Sequence, residues 1–174
     1  APARTQVAAL VEMFSIKEAR IWSTDPGCAG AFIRDMKGPG IRLEIKSSVK
    51  ECVEGADIVV TTTPSRRPLV KSEWIKPGTH INAIGADAKG KEELDPKLLK
   101  RSKIVIDDWG QASHSGEINV PLAKGIIKKS DIYASLGDII VGKERGRARA
   151  KEVTVFDSTG LAIQDMALAK LVYG

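Results

Sequence analysis

Residues 56–64 read ADIVVTTTP, and they form the most strand-like segment of the chain. Ile58, Val59 and Val60 are β-branched, and the three threonines that follow also favour extended backbone. Pro64 then stops the run, because proline cannot donate a hydrogen bond to a strand ladder. The segment therefore predicts a strand, and the pattern around it decides the fold class.

Strand and helix signals alternate on both sides of this segment. Further strands are predicted at 19–23, 41–45, 79–84, 102–108 and 152–156. Helices are predicted over 3–14, from Asp25-Pro26 to the breaker Gly38-Pro39-Gly40, from Ser47 or Ser48 to Gly55, around 92–100, and from a Ser158 cap onwards. This alternation with short connections predicts an α/β fold: a doubly wound, mostly parallel sheet with helices on both faces.

Composition excludes several classes of protein. The 174 residues suit one domain, and they contain no apolar run long enough for a membrane span and no signal-peptide pattern at the start. The net charge is +5, but the basic cluster at 143–151 has no interleaved aromatic residues, so a solvated loop is favoured over nucleic-acid binding. A mild positive field would also favour an anionic dinucleotide.

The few cysteines and histidines do not form a ligand cluster. Cys28 and Cys52 each lie in a predicted helix, and free thiols of a cytoplasmic protein are the expectation. His80 and His114 are isolated, so no metal site is predicted. We interpret His114 and Glu117 as structural.

The predicted sheet lacks the strand that would normally be its first. In a doubly wound dinucleotide-binding fold, this strand is central, and the turn after it carries glycines against the pyrophosphate. The chain opens with a helix and contains no G-x-G-x-x-G; Gly38-Pro39-Gly40 precedes a strand instead. A missing central strand would leave backbone groups unpaired, at about 1–3 kcal/mol for each buried group. Upstream residues or another chain are therefore expected to supply it.

Five stretches, taken together and in register, resemble the ornithine cyclodeaminase/mu-crystallin family. They are Ala3–Gln6, Val60–Ser65, His80–Asp87, Gly116–Asn119 and Phe156–Asp165. The Thr-Thr-Thr-Pro-Ser and Gly-Ala-Asp stretches are most similar to those of archaeal alanine dehydrogenases. The resemblance implies a Rossmann-like dinucleotide-binding domain over residues 1–157. Residues 158–174 would then lead back to a dimerisation and substrate domain that is mostly absent here.

Asp87 is the candidate catalytic residue. It follows a strand end and two small residues, where an α/β sheet presents side chains to a ligand. A carboxylate there could orient an attacking water or ammonia and stabilise an iminium-like intermediate. An Asx turn before Lys89-Gly90 is the structural alternative. By resemblance, Asp87 corresponds to the family's catalytic aspartate.

Candidate cofactor contacts lie at several strand ends. Hydroxyls or amides of Thr61, Thr62, Thr63 and Ser65 could reach the ribose or pyrophosphate, although threonine is also a common strand residue. Ile84, Gly85 and Ala86 would pass beside the nicotinamide, with Asp87 next to them, and the small residues would allow close approach. The resemblance adds the following residues: Pro2 and Ala3 near the pyrophosphate, where Pro2 replaces the family's glutamine, and Ser158 and Thr159 near the nicotinamide.

The choice of cofactor depends on the turn after the second strand of the fold, where NAD enzymes usually carry an acidic residue. Ser23 and Thr24 occupy this turn, and Asp25 could either bind the ribose or cap a helix. No arginine follows Ser23 to pair with a 2′-phosphate. NAD is therefore expected, with NADP possible.

The resemblance implies a cytoplasmic, homodimeric oxidoreductase that converts L-alanine reversibly to pyruvate and ammonia with NAD. The first alternative is an ornithine cyclodeaminase, which forms proline and ammonia from ornithine. The second is a mu-crystallin-like ketimine reductase or NADPH-binding protein. The residues that hold the substrate carboxylate are expected outside this chain, so the sequence alone does not identify the substrate.

Overall fold

The computed structural model describes residues 2–36 and 40–173, and it alternates helices and strands as the sequence predicts. In chain order the elements are α1 (Pro2–Met13), β1 (Glu18–Ile21), α2 (Pro26–Asp35), β2 (Arg42–Ile45), α3 (Val49–Val53), β3 (Ile58–Thr61), β4 (Arg66–Val70), a 3-10 helix (Ser72–Trp74), β5 (His80–Ala83), β6 (Glu92–Leu94), α4 (Pro96–Lys100), β7 (Lys103–Ile106), α5 (Trp109–Ser115), α6 (Asn119–Ala123), a second 3-10 helix (Lys129–Asp131), β8 (Ile132–Ser135), α7 (Leu136–Ile140), β9 (Thr154–Asp157) and α8 (Ala162–Tyr173).

A five-stranded parallel sheet carries the core. Its strand order is β3-β5-β9-β7-β8, and each pairing is parallel. Ile104, Val105 and Ile106 are buried one after another along β7, which requires both faces of the sheet to be covered. The architecture is Rossmann-like, as the alternating strands and helices predict.

Two smaller parallel pairs flank this sheet. β1 pairs with β2, and β4 pairs with β6. α1 contacts β3, and α3 contacts both β1 and β4, so these helices link the pairs to the main sheet. β6 of the second pair carries Glu93, whose side chain reaches the loops after β3 and β5.

An open groove of about 650 Å³ separates β1 from β3. Its lining includes all four residues of each of these strands, together with apolar residues of α1. Within residues 2–36 and 40–173, no strand pairs with β1 opposite β2 or with β3 opposite β5. The groove lies where the expected central strand of the fold would run.

Local sequence signals explain where the predicted helices begin. Asp25 caps α2 by accepting from Gly27 N at 2.8 Å, and Pro26 occupies the first turn. Ser48 caps α3, and Gly55 after it has a positive φ of 74°. α2 ends at Asp35; the predicted breaker residues Gly38 and Pro39 lie outside the described residues.

Two predicted helix boundaries are wrong. The helix expected around 92–100 is strand β6 over Glu92–Leu94, and α4 begins only at Pro96, capped by Asp95. Ser158 does not cap the last helix, because α8 begins at Ala162. Backbone N–H groups of Thr159 and Gly160 donate instead to Asp107, which holds this segment in a turn.

Within the same described residues, no helix combines the length and apolar character that crossing a membrane requires. The basic cluster at 143–151 is a mostly exposed loop. Arg147 is tied down there, since its guanidinium donates to the Gly78 carbonyl and to Thr154 Oγ1.

Candidate active site

The candidate site lies at the carboxyl edge of the five-stranded sheet. Because the strands are parallel, the loops after β3, β5, β7 and β9 emerge at the same edge, which is where open α/β sheets bind ligands. These loops carry most of the predicted site residues. Backbone hydrogen bonds join the ends of these strands: Ile84 N donates to Thr61 O at 2.9 Å, and Ser158 N donates to Ala83 O at 3.0 Å.

Asp87 extends from the loop after β5 into solvent, with about 63% of its side chain exposed. Lys91 forms an ion pair with it, four residues along the chain. The hydrogen bond from Lys91 lowers the pKa of Asp87 below its ordinary value, so this carboxylate is ionised at neutral pH. Asp87 is therefore an exposed, ionised carboxylate at the sheet edge, paired with Lys91.

Gly85 packs so closely against the loop after β3 that no side chain fits there. A Cβ atom at this position would lie 2.5 Å from both Thr63 N and Glu93 Oε2, and closer still to the Thr63 carbonyl oxygen. Its φ is not in the left-handed region, so the requirement for glycine comes from space rather than backbone conformation. Ala86, beside it, is buried.

The three threonines after Val60 have different surroundings. Thr61 is buried, and its Oγ1 has no hydrogen-bond partner among the described residues. Thr62 is half-buried and lines the groove beside β3. Thr63 donates both its amide and its hydroxyl to Glu93, at 2.6 and 2.7 Å, so its donors are already used. Thr61 and Thr62 therefore remain the better candidates for donating to a ligand.

The residues predicted near the start of the chain lie in α1 and in the turn after β1, outside the loops that follow β3, β5 and β9. Pro2 is exposed in the first turn of α1, and Ala3 lines the groove shared with Thr61 and Thr62. Ser23 and Thr24 form the turn after β1, where Ser23 Oγ accepts from Asp25 N at 3.1 Å.

Asp25 acts as a helix cap. Its contacts with Cys28 Sγ and Gly27 N lower its pKa below the ordinary value. The cap alternative that the sequence leaves open is therefore present in the structure.

Buried carboxylates hold the loops of the sheet edge in place. Glu93, on β6, has no exposed surface, and its Oε2 accepts from Gly85 N at 3.1 Å while Oε1 accepts from Thr63. Glu117 is equally buried and accepts from the backbone N–H groups of Glu93 and Leu94, at 2.9 and 2.6 Å. Burial raises the pKa of Glu117 well above its ordinary value.

The same arrangement continues to the ends of β9 and β7. Asp157 accepts from Glu117 N at 2.9 Å and from Ile118 N at 3.1 Å, and burial raises its pKa to about 7. Asp107 accepts from Thr159 N at 2.6 Å and from the Thr159 hydroxyl at 3.0 Å. None of these four carboxylates forms an ion pair with another described residue; backbone amides satisfy them instead.

Sequence reasoning missed most of this carboxylate series. Glu93 falls in an acidic stretch that resembles a solvated helix, Asp107 was included only in the predicted strand 102–108, and Asp157 only in the family-like stretch Phe156–Asp165. Glu117 was interpreted as structural, and its contacts are those of a structural residue. The one usable signal was Gly116 before Glu117: a Cβ there would lie 2.6 Å from Asp157 Oδ2, so a carboxylate approaches this backbone closely.

No three His, Cys, Asp or Glu side chains in the described parts of the chain are grouped so that they could hold a metal ion. His80 lies on β5, where its ring nitrogens contact Thr154 Oγ1 at 2.7 Å and Asn82 Oδ1 at 2.9 Å. Burial lowers the pKa of His80, which favours the neutral ring.

The sequence and the fold were compared with those of known proteins. The chain is 48% identical to an alanine dehydrogenase of Archaeoglobus fulgidus over 97% of its own length and 52% of that protein's. An archaeal alanine dehydrogenase dimer with bound NAD matches 98% of the chain and 53% of the solved chain, with 48% identity and a TM-score of 0.94.

A second solved structure is a Δ1-pyrroline-2-carboxylate reductase of Thermococcus litoralis in complex with NADH and L-proline. It is 38% identical and has a TM-score of 0.94, covering 98% of this chain and 54% of the solved one. The chain therefore spans about half the length of these relatives. The model of the ornithine cyclodeaminase/mu-crystallin family matches residues 1–174, and the chain belongs to that family.

Proposed function

We propose that this chain forms the nucleotide-binding part of an NAD-dependent oxidoreductase that converts L-alanine reversibly to pyruvate and ammonia. The observation that carries the proposal is the exposed, ionised Asp87, placed beside the close-packed Gly85 at the carboxyl edge of the sheet. The 48% identity to an alanine dehydrogenase supports the choice of substrate.

The residues present fit a dinucleotide at this edge. Thr61 Oγ1 is buried without a partner among the described residues, as a group that bonds a ligand would be. Gly85 packs against the loop after β3 and Ala86 is buried, so the backbone of this segment is held in a fixed position beside the proposed ring. The amino end of the 12-residue helix α1 offers a positive dipole to a pyrophosphate, although Pro2 contributes no N–H. Ala3, Ser158 and Thr159 are further proposed contacts.

The proposed chemistry uses Asp87 as the reacting side chain of this chain. When bound, the nicotinamide exchanges a hydride with the α-carbon of the substrate. Asp87 would orient the water or ammonia that adds at this carbon, and its charge would stabilise the cationic imine between the two states. Ile84 and Gly85 would fix the distance between Asp87 and the ring, because both follow directly from the end of β5.

NAD is the proposed cofactor, and Ser23, Thr24 and Asp25 are the proposed surroundings of its adenosine ribose. Paired titrations with NAD and NADP test this choice. Clearly tighter binding of NADP would overturn it.

An assay of the intact purified protein tests the reaction. Absorbance at 340 nm is followed after mixing NAD with L-alanine, with L-ornithine, and, for NADPH, with a cyclic imine. Alanine-dependent NADH formation supports the proposal. Proline formation from ornithine without net NADH would replace it with a cyclodeaminase, and imine-dependent oxidation of NADPH alone would replace it with a ketimine reductase.

Substitution of Asp87 tests the assigned residue. Asp87→Asn removes the charge and is expected to lower kcat roughly a hundredfold or more, while the Kd for NADH changes little. Asp57→Asn is the matched control, since Asp57 is also an exposed aspartate paired with a lysine, at 2.6 Å from Lys76, but precedes β3. Equal turnover by Asp87→Asn and the control would remove Asp87 from the mechanism.

We further propose the division of the chain into a dinucleotide-binding domain, residues 1–157, and a helical connection, 158–174. No described residue of α8 is buried, and its apolar side chains are exposed, including Leu171 at 84% and Tyr173 at 91%. This supports packing against a dimerisation domain from outside residues 1–174. A mass in solution of one protomer would contradict the proposed homodimer.

The groove between β1 and β3 supports one further proposal about the whole protein. A single parallel strand, from residues outside 1–174 or from another chain, would pair with both open edges at once. Its carboxyl end would then lead to the amino end of α1, where the pyrophosphate is proposed to bind.

A further inference from the structure

Glu93 joins the two loops that the proposed cofactor would touch. It lies on β6, outside the main sheet, and its side chain reaches the ends of both β3 and β5. One carboxylate oxygen receives the amide and the hydroxyl of Thr63, and the other receives the amide of Gly85. Glu93 itself has no exposed surface, while Thr63 and Gly85 are half-buried. Glu93 thus bridges the Thr63 loop and the Gly85 loop, one residue beyond the direct hydrogen bond from Ile84 N to Thr61 O.

The number of donors around Glu93 requires a carboxylate. Three groups, two N–H and one O–H, converge on its two oxygens, and neither oxygen has a hydrogen atom to offer. A glutamine would present its NH₂ to either Thr63 N or Gly85 N, so one of these amides would lose its acceptor. An unpaired buried donor is costly, and the loop that carries it would move to find a partner.

Glu93 is itself held by a second carboxylate. Glu117 accepts from the amide of Glu93, and Asp157 accepts from the amide of Glu117. Three buried carboxyl groups therefore connect the end of β9 to the ends of β5 and β3, each fixing the backbone of the next. This series leaves Glu93 little freedom to follow a displaced loop.

We propose that Glu93 is a positioning residue: it holds Gly85, and hence the neighbouring Asp87, at the distance from the Thr63 loop that hydride transfer requires. The inference rests on the proposed function, because it assumes a nicotinamide beside Gly85. Glu93 acts through the backbone amides of Thr63 and Gly85. It does not touch the reacting atoms.

Glu93→Gln in the intact protein tests the proposal, and Glu92→Gln is the matched control. Glu92 is the preceding residue on the same strand and is also buried, but its side chain pairs with Lys124, at 3.5 Å, rather than with a loop of the sheet edge. Three quantities are compared: kcat and KM for NAD, the isotope effect with α-deuterated L-alanine, and the hydrogen-exchange rates of the Thr63 and Gly85 amides.

The expected result for Glu93→Gln is a fall in kcat of roughly ten- to a hundredfold, as small displacements of reacting groups produce. The isotope effect should increase because hydride transfer becomes slower, and both amides, or one of them, should exchange faster. A purely structural role would reduce the amount of active enzyme without raising the isotope effect. Equal kinetics and equal exchange in Glu93→Gln and Glu92→Gln would overturn the proposal.

A failure of the proposed function has a different signature. If the unaltered protein does not oxidise L-alanine, the substrate assignment is wrong, and the amide-exchange comparison alone decides on Glu93. Faster exchange of Thr63 or Gly85 in Glu93→Gln, with no change in Glu92→Gln, supports the positioning role. Unchanged exchange in both variants contradicts it.

Discussion

The five-stranded sheet and the β1–β2 pair differ in how deeply the same length of strand is buried. Each strand of the two regions has four residues, yet β7 has three buried residues, whereas β1 and β2 have none. β1 faces the open groove. The comparison teaches that the chain's own core stabilises one half of the fold, and we infer that the other half depends on what fills the groove.

The two regions also differ in how they use charge. At the sheet edge, buried carboxylates such as Glu93 and Asp157 are satisfied by backbone amides. The β1–β2 pair instead carries partly exposed ion pairs, Glu18 with Arg42 at 2.7 Å and Glu44 with Lys46 at 2.6 Å. Such pairs contribute little stability in water, about 0–1 kcal/mol each. Changes at the sheet edge should therefore have the larger effects.

The largest expected effect is a pH dependence that originates at Asp157. Its pKa in the folded protein is about 7, raised from 3.8 by burial. A raised folded-state pKa means that the stabilising contribution is present below about pH 4 and is lost as pH rises through 7. Relative to Asp157→Asn, the unfolding free energy of the unaltered protein should fall by the order of 4 kcal/mol over this range.

Chemical denaturation of both proteins between pH 4 and pH 8 measures this difference. Asp138→Asn is the control, because hydrogen bonding with Ser135 and Lys143 lowers the pKa of the partly exposed Asp138 below 3.8. Its contribution is lost only as pH falls below about 4, so it should stay constant between pH 4 and pH 8. A difference between the unaltered protein and Asp157→Asn that is constant with pH would show that burial does not hold this carboxyl protonated.

A smaller loss is expected from Gly85→Ala. The added methyl would overlap Thr63 and Glu93, so the loops must separate, and overpacking of this kind costs about 1–3 kcal/mol. The affinity of this variant for NADH and its turnover should also fall. Gly137→Ala is the control, because a Cβ there meets its nearest atom, Ser135 Oγ, at 3.7 Å. Thermal unfolding that is equal for both variants would contradict the close packing at Gly85.

The fold was predictable where apolar periodicity decides the structure, and the site was predictable only in part. The β-branched run at 58–61 and the caps Asp25 and Ser48 carry local signals, so β3, α2 and α3 are found from sequence. β6 was missed because its acidic residues look solvated. Glu93 is buried only because amides at Thr63 and Gly85, 30 and 8 residues away along the chain, satisfy its charge.

The turn after β9 was also mispredicted because a distant carboxylate determines its structure. A helix cap at Ser158 agrees with local sequence preferences, but Asp107 takes the amides of Thr159 and Gly160 from more than 50 residues away. Gly160 then adopts a φ of 79°, and α8 begins two residues later. Such distant carboxylate–amide contacts leave no periodic trace in the sequence, which is why the candidate residues were found but the groups that hold them were not.

The smallest expected effect is in the β1–β2 region. This prediction asks whether hydrogen bonds, as well as exposed ion pairs, attach the β1–β2 pair to the rest of the protein. Arg20, on β1, donates to the carbonyls of Glu51 and Glu54 at the end of α3, at 3.0 and 2.8 Å. Arg20→Met removes these donors and should lower the unfolding free energy by about 1–2 kcal/mol, since a charged donor to a backbone carbonyl is worth this much.

Arg42→Met on the neighbouring strand is the control, because Arg42 is 68% exposed and pairs only with Glu18 and Glu44 among the described residues. Its loss should cost less than about 1 kcal/mol. Denaturation midpoints in low and high salt distinguish the two variants. Added salt should reduce the loss of stability in Arg42→Met, whereas most of the loss in Arg20→Met should remain. Equal, salt-sensitive effects would mean that exposed charge alone holds β1 against α3, and the contrast between the two halves of the fold would then be greater than burial indicates.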